Sequence, residues 1–299
     1  MKVRELKYSN TNTYLIETGS GHILFDTGWA GTFGAFCKCM GELNIPVQSI
    51  THILISHFHP DHMGIAGDIA QTGVKIVVFD VQRDYIHSSD EILKKQGDLR
   101  FRPIDDSNVM FVPVTESRPF LHQIGIEGEV IHTPGHSDDS ISLWTDEGYL
   151  FVGDLNPLYE LELHKGTEIG RSWNKLLKLK PKVVYYGHAK TARLKESSGG
   201  DAPYGGVQEA KEAYVKDVNP TGKGASETDD DVGVATGTSD LYRIVKQIMH
   251  LTDKGVKAEK IRKKTGADAE FIEDVIRMYL THKDVGVQGI LDRIEIKGR

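Results

Sequence analysis

The sequence predicts an α/β protein in which two β-sheets pack together between outer layers of helices, followed by a small all-helical domain. Short β-like runs alternate with helical stretches over residues 1–195, which is typical of mixed sheets flanked by helices. Residues 196–238 are rich in glycine and acidic side chains and offer little to bury. Apolar residues return at helical spacing over residues 239–299. We therefore expect a large N-terminal domain, a flexible linker and a helical C-terminal domain with those boundaries.

The large domain reads as two successive groups of strands. The first group is predicted over 13–17, 22–26, 51–55 and 74–80, with helices over 31–43, 65–71 and 81–95. The second group is predicted over 109–114, 127–132, 140–145, 149–152 and 182–186, with a helix over 172–180 that Pro181 ends. An irregular loop around 96–106 is expected to lie over the pocket and shape substrate access.

The C-terminal region is predicted to contain three helices, after a short linker helix over 207–216. Leu241, Ile244 and Ile248 mark one face of the first helix. The second spans 257–264, and the third spans 268–281 with Asp268 as its N-cap. Two short helices joined by a glycine turn are typical of a helix-turn-helix unit. The third helix is acidic and would repel phosphate, so we expect a homodimer or a protein partner here rather than nucleic acid.

Composition describes an ordinary protein with no membrane segment. The 299 residues include 39% hydrophobic and 26% charged side chains, and no run approaches the ~20 apolar residues that a membrane helix needs. The net charge of −7 divides into −10 over residues 1–238 and +3 over residues 239–299, which disfavours a polyanionic substrate. Cys37 and Cys39 are spaced by two on a predicted helix, which suits neither a disulfide nor a shared ion. Reduced thiols and the lack of room for a signal peptide predict a cytoplasmic protein.

Four short segments indicate a metal site. The run His57-Phe58-His59-Pro60-Asp61-His62 follows an apolar strand and holds four possible ligands within six residues. Gly135-His136, Gly153-Asp154 and Gly187-His188 each follow a β-like run in the same way. Imidazole and carboxylate are the ligands that zinc and iron accept, and these ions activate water near neutral pH. A glycine before each later ligand lets the backbone turn sharply beside an ion.

These motifs, with Asn12–Ile16 and Ile23–Gly28, resemble the metallo-β-lactamase superfamily over roughly residues 1–195. The resemblance implies a four-layer αββα sandwich and a binuclear centre. It further implies that the first metal is held by His57, His59 and His136, the second by Asp61, His62 and His188, and that Asp154 bridges both. An aspartate at 154 differs from true β-lactamases and favours the branch of glyoxalase II-like thioesterases, lactonases and phosphodiesterases.

The resemblance also implies roles around the two divalent ions, for which zinc is the default and iron or manganese the alternatives. Asp61 is expected to accept a proton from the metal-activated water and pass it to the leaving group. Asp26 is expected to orient the His57–His62 loop, and an Asx turn that ends its strand is a compatible interpretation. Asp138 and Asp139 either bond to neighbouring ligands or cap their turn.

Three tyrosines are candidate substrate contacts. Tyr159 follows Asp154 closely, and Tyr185 and Tyr186 precede His188, so each is a possible hydroxyl donor to an oxyanion. Strand alternation lets only one of Tyr185 and Tyr186 face inward.

The predicted function is hydrolysis of an ester, thioester or lactone of a small-molecule substrate by metal-bound hydroxide. Three alternatives remain open at this point. They are a phosphodiesterase or nuclease on the same site, an iron-dependent oxidoreductase similar to persulfide dioxygenases, and a regulatory protein with a structural metal site.

Overall fold

A computed structural model describes residues 1–95, 100–194 and 237–281, together with residues 287, 290 and 291. The chain divides into two compact units: Met1–Asp90 with Arg100–Gly222, and Glu91–Leu99 with Lys223–Arg299. The predicted linker helix over 207–216 and the start of the expected loop around 96–106 lie outside the described residues.

The first sheet has six strands in chain order, antiparallel at one side and parallel at the other. Its strands are β1 Lys2–Leu6, β2 Thr13–Thr18, β3 Gly21–Phe25, β4 Ile50–Leu54, β5 Lys75–Phe79 and β6 Val109–Val112. Strands β1, β2 and β3 pair antiparallel, and β3 to β6 pair parallel. Strands β1, β3 and β4 therefore all end at the same edge of the sheet.

The second sheet has five strands in the order β11-β10-β9-β8-β7. They are β7 Gly128–His132, β8 Ile141–Thr145, β9 Tyr149–Phe151, β10 Val183–Tyr185 and β11 Ala192–Arg193. Strands β9 and β10 are parallel and the other pairs are antiparallel. The loops that follow β9 and β10 consequently leave from one edge.

Nine α-helices surround and follow the sheets in the part of the chain that the structure describes. They are α1 Phe33–Glu42, α2 Pro60–Met63, α3 Ala66–Ala70, α4 Asp90–Lys95, α5 Ser117–Gln123, α6 Glu168–Leu177, α7 Gly237–Asp253, α8 Ala258–Thr265 and α9 Ala269–Thr281. None of these is long and apolar enough to cross a membrane.

Two helical predictions need correction. The helix predicted over 81–95 is a 3₁₀ turn, Asp80–Tyr85, followed by the separate helix α4. Side-chain bonds compete with a continuous helix here: Gln82 donates to Ile55 O, and Ser89 donates to Phe58 O. Helix α6 begins four residues before the predicted start because the Thr167 side chain accepts the Gly170 N–H at 3.3 Å.

The main core lies between the two sheets, where alternate residues of each strand face inward. Tyr14, Phe25 and Leu54 of the first sheet pack against Leu143 and Phe151 of the second. The outer face of the second sheet packs on α6 through the fully buried Trp173, and α1 and α3 contact β1 and β5 of the first sheet. This arrangement confirms the predicted αββα sandwich.

The C-terminal unit has its own apolar core. Helices α7, α8 and α9 contact one another around Val245, Ile261 and Ile272, all almost fully buried. Gly266 ends α8 with φ 69°, a left-handed conformation that favours glycine. As predicted for an N-cap, Asp268 Oδ1 accepts the Phe271 N–H at 3.2 Å. The shared core stabilises α8 and α9, whose 8 and 13 residues would make them marginal as isolated helices, by packing them on the 17-residue α7.

Candidate metal centre

Four loops that follow strands β4, β7, β9 and β10 meet at the common edge of the sandwich. The loop after β4 carries His57 and His59 and then enters α2, which begins with Pro60. Proline is well suited to the first helical position because its missing N–H has no partner there. Helix α2 supplies Asp61 and His62, both completely buried. The remaining loops bring His136, Asp154 and His188 to the same place.

The first group of side chains, hereafter the first cluster, consists of His57, His59 and His136. Nδ1 of His59 lies 3.0 Å from His57 Nε2 and 3.1 Å from His136 Nε2. All three ligand nitrogens lie within 4.8 Å of one another. Burial, followed by the neighbouring His62, lowers the pKa of His57 well below its usual range, so this ring is neutral. Neutral imidazoles present lone pairs, which is what a metal ion requires.

The second cluster consists of Asp61, His62 and His188. His188 Nε2 lies 2.9 Å from Asp61 Oδ2, and His62 Nε2 lies 3.7 Å from the same oxygen. These three ligand atoms also lie within 4.8 Å of one another. Asp61 and His62 are fully buried, while the His188 side chain is one-fifth exposed.

Asp154 lies between the two clusters. Its Oδ2 is 3.6 Å from His136 Nε2 in the first cluster. Its Oδ1 is 3.1 Å from His62 Nε2 and 3.3 Å from His188 Nε2 in the second. A carboxylate that directs one oxygen to each cluster has the geometry to bridge two cations.

Unsatisfied buried atoms test whether these residues fit metal ions. Within residues 1–95, 100–194 and the C-terminal segment, Asp61 Oδ1, His62 Nε2 and Asp154 Oδ1 are buried without a hydrogen-bond partner. Each such atom costs roughly 1–3 kcal/mol, and more when it is charged. His62 Nε2 and Asp154 Oδ1 are of the kinds that divalent metals bind, and Asp61 Oδ1 belongs to a carboxylate whose Oδ2 faces the second cluster. Arg4 Nε and Thr13 Oγ1, which are also buried without a partner, lie in β1 and β2. The donor set therefore fits divalent metal ions, and its chemistry alone does not choose among them.

The electrostatics of the centre favour cations. Burial alone would raise the pKa of Asp154, but His188 and His62 outweigh it and hold that pKa well below the usual range. Burial would likewise raise the pKa of Asp61, but His62 and His188 lower it. Burial would lower the pKa of His62, yet Asp154, Asp26 and Asp61 hold it well above its usual range. Buried anionic carboxylates thus surround the second cluster, and such charges are stable only when paired.

Asp26 supports the ligand loop from behind. At the end of β3 it adopts φ 61°, and its Oδ1 accepts the Ser56 N–H at 2.7 Å. Its Oδ2 accepts the Ser56 hydroxyl at 2.9 Å and lies 2.8 Å from His62 Nδ1. Because a carboxylate only accepts, Nδ1 of His62 carries a proton and Nε2 faces Asp154. The side chain therefore lies at the predicted position, beneath the His57–His62 loop.

Two supporting side chains hold the Phe58 peptide between His57 and His59. Asp139 Oδ2 accepts the Phe58 N–H at 2.7 Å, and the Ser89 hydroxyl donates to the Phe58 carbonyl at 2.7 Å. The Asp139 carboxylate thus bonds to the ligand loop, which is the first of the two interpretations given for it above. No pattern in the sequence pointed to Ser89, because its relation to Phe58 exists only in three dimensions.

The glycines before the ligands serve two different purposes. Gly135 at φ 140° and Gly153 at φ 54° adopt conformations that favour glycine, as predicted for sharp turns beside an ion. At Gly187 the reason is space. A Cβ there would lie 2.6 Å from Asp154 Oδ1 and 2.7 Å from His62 Cε1. The backbone at Gly187 therefore touches the second cluster directly.

Tyr185, the last residue of β10, and Tyr186, the residue after it, lie in apolar surroundings on opposite faces of the second sheet. Tyr185 stacks on Phe151 with ring centroids 4.7 Å apart. Tyr186 is buried, and its hydroxyl accepts the Leu158 N–H at 3.3 Å. Tyr159 lies half-buried in the 3₁₀ segment Leu158–His164. Substrate contact through any of the three stays a prediction.

The αββα fold and the paired His/Asp clusters define a metallohydrolase-like architecture. A family model described as the metallo-beta-lactamase superfamily matches residues 7–188, and the chain belongs to this superfamily.

Particular relatives match part of the chain. A beta-lactamase-like protein 2 homolog of Drosophila melanogaster is 31% identical over 185 residues, which are 60% of this chain and 58% of the relative. An atrochrysone carboxyl ACP thioesterase of Emericella nidulans is 31% identical over 150 residues, 48% of this chain and 39% of the relative. The chain thus spans less than two thirds of the length of these curated relatives. A crystal structure of a metallo-beta-lactamase family protein from Thermus thermophilus aligns with 99% of this chain and 92% of its own, at 17% identity and a TM-score of 0.49.

Proposed function

We propose that this chain is a hydrolase of carboxylic esters, thioesters or lactones that uses two divalent metal ions, with zinc the default. His57, His59 and His136 would hold one ion and Asp61, His62 and His188 the other, with Asp154 bound to both. The observation that carries the proposal is the position of Asp154, which directs Oδ2 toward the first cluster and Oδ1 toward the second. One cluster alone would not need a carboxylate placed between two sets of ligands.

When bound, the ions would supply Lewis-acid activation of a water molecule and of the substrate carbonyl. The protein's own contribution is to hold the ligands and to move a proton. Asp61 Oδ2 lies 2.9 Å from His188 Nε2 and accepts the Thr11 hydroxyl at 3.3 Å. Oδ1 of the same carboxylate has no hydrogen-bond partner in the described part of the chain. This oxygen is therefore the atom that would take up a proton during hydrolysis and return it to the leaving group.

An acyl substrate is favoured over a phosphodiester by the names of relatives and by charge. The Emericella nidulans relative is named as a thioesterase, and so is one of Claviceps purpurea that is 29% identical over 153 residues. The first 238 residues carry a net charge of −10, which disfavours a polyanion. Both observations support acyl transfer to water as the reaction class.

The test is a substrate panel on the purified full chain loaded with zinc, manganese or iron. Acyl thioesters, lactones and bis(p-nitrophenyl) phosphate separate acyl from phosphoryl chemistry. We expect turnover of thioesters or lactones, with a fall in kcat of about 10²- to 10⁴-fold in Asp61→Asn. Elemental analysis of the same samples should give two ions per chain. Turnover of the phosphodiester alone would overturn the acyl assignment. One iron per chain with consumption of dioxygen would instead support the iron-dependent oxidoreductase similar to persulfide dioxygenases.

A further inference from the structure

We propose that Asn12 is a positioning residue for the second cluster, which it serves by holding the loop that carries His188. The inference rests on the proposed function, because it concerns the same pair of metal ions. Asn12 lies just before β2, and 176 positions separate it from His188 in the sequence. Asn12 therefore comes close to the His188 loop only in the folded chain.

Asn12 bonds to the His188 loop on both sides of the ligand. Its Nδ2 donates to the carbonyl oxygens of Tyr186 and Ala189, each at 3.0 Å. Its backbone N–H donates to Gly187 O at 2.7 Å. One residue thus satisfies three carbonyl groups of a four-residue loop. Such bonds fix the direction in which the His188 side chain leaves the backbone.

The two residues before Asn12 contact the second cluster directly. The Thr11 hydroxyl, completely buried, donates to Asp61 Oδ2 at 3.3 Å. The carbonyl oxygen of Asn10 lies 3.2 Å from His188 Nδ1. Because a carbonyl only accepts, Nδ1 carries the proton and Nε2 is left to face Asp61 and Asp154. The same short segment therefore sets both the position and the tautomer of His188.

The loop has almost no freedom to compensate for the loss of these bonds. The Gly187 N–H donates to Gly153 O at 2.6 Å, and a methyl group at Gly187 would overlap Asp154 and His62. Metal–ligand distances hold within roughly ±0.2 Å. A small shift of this loop would therefore misplace His188 Nε2 as a ligand.

The first cluster has separate support. The Phe58 peptide between His57 and His59 is held by Asp139 and Ser89, neither of which belongs to the His188 loop. Loss of the Asn12 bonds should therefore weaken the second ion selectively. A merely structural role would instead lower stability without distinguishing the two ions.

The experiment is a zinc titration of the metal-free full chain against a chromophoric chelator, with urea unfolding of the same metal-free samples. Asn12→Asp keeps the size of the side chain but turns a carboxylate toward two carbonyl oxygens. We expect it to lower the affinity for the second ion by about 10- to 100-fold, with the first ion unchanged. Asn12→Ala removes the side-chain bonds without adding a repulsion, so it should lower the affinity for the second ion less than Asn12→Asp does. It is also the variant to measure if Asn12→Asp does not fold.

Tyr14→Phe is the matched control. The Tyr14 hydroxyl also donates to Tyr186 O, at 2.7 Å, but this variant leaves every Asn12 bond in place. We expect it to lower the urea midpoint while both zinc affinities stay at the wild-type values.

Three results would overturn the inference: wild-type affinity for the second ion in both Asn12 variants, equal loss of both ions, or an equal loss in Tyr14→Phe. A wild-type chain that binds fewer than two zinc ions would instead refute the proposed function itself.

Discussion

Replacement of Asp26 by asparagine should selectively weaken binding of the second metal ion, because Asp26 faces the proton on His62 Nδ1. The Asp26 carboxylate accepts the Ser56 N–H and hydroxyl and faces the Nδ1 proton of His62 at 2.8 Å. In Asp26→Asn the remaining oxygen can keep the backbone N–H. The new NH₂ group then faces the Ser56 hydroxyl, which can rotate to accept. It also faces His62 Nδ1, which can accept only if its proton moves to Nε2.

A metal ion can bind Nε2, which faces Asp154 at 3.1 Å and Asp61 at 3.7 Å, only when this nitrogen has no proton and Nδ1 keeps its own. The asparagine NH₂ group opposes that arrangement because it faces the Nδ1 proton. The loss of one hydrogen bond to a charged group is worth about 1.5–3 kcal/mol. Since about 1.4 kcal/mol corresponds to a tenfold change, the second ion should bind about 10- to 100-fold more weakly. The first ion should be spared, because a rotated Ser56 hydroxyl can still accept from His57 Nδ1, 3.0 Å away.

The assay is stepwise zinc binding by the metal-free chain, with Asp139→Asn as the control. The Asp139 carboxylate accepts the Phe58 N–H through one oxygen, and an amide oxygen can take over that bond. We expect Asp139→Asn to keep both affinities close to wild type. Unchanged binding of the second ion by Asp26→Asn, or an equal loss in Asp139→Asn, would refute this account of how His62 is held.

Three further predictions concern space, capping and ionisation. Gly187→Ala places a methyl group 2.6 Å from Asp154 Oδ1 and should abolish binding of the second zinc ion. The control Gly34→Ala, on an open helix surface, should bind both ions. A Gly187→Ala chain that binds two zinc ions tightly would show that the methyl group does not crowd the second cluster. Asp268→Ala removes the hydrogen bond from the Phe271 N–H and should destabilise α9 by about 1 kcal/mol. Amide hydrogen exchange should become faster over Ala269–Thr281 and stay the same in the sheets. Unchanged exchange over Ala269–Thr281 would argue against a stabilising role for this cap. The hydrogen bond to Asp253 raises the pKa of Tyr279 to about 12 from its usual 10.0, so Asp253→Asn should return it toward 10 in a ¹³C-tyrosine NMR titration. A raised pKa means that the folded state retains the proton, so this contribution to stability is complete below pH 10 and is lost as the pH rises toward 12. A Tyr279 pKa that stays near 12 in Asp253→Asn would rule out Asp253 as the cause.

Much of the fold could be predicted because its signals are local. Strand alternation placed β2 to β5 and β7 to β10 within one or two residues of their observed positions, and the strand-glycine-ligand pattern selected His136, Asp154 and His188. The prediction of one helix over 81–95 was wrong, because side chains in this segment bond to the loop after β4. Helix α5 was not predicted. Local propensity cannot account for a partner that is distant in the sequence.

The sequence by itself determined the ligand types, their order along the chain and the strands that end in them. Only the tertiary structure decided that Gly187 is needed for space, that Asn12 holds the His188 loop, and which of its two predicted roles Asp139 takes. The physical reason is that ligand identity and strand periodicity belong to neighbouring residues. Hydrogen bonds between loops depend on how two sheets pack, which no short stretch of sequence encodes.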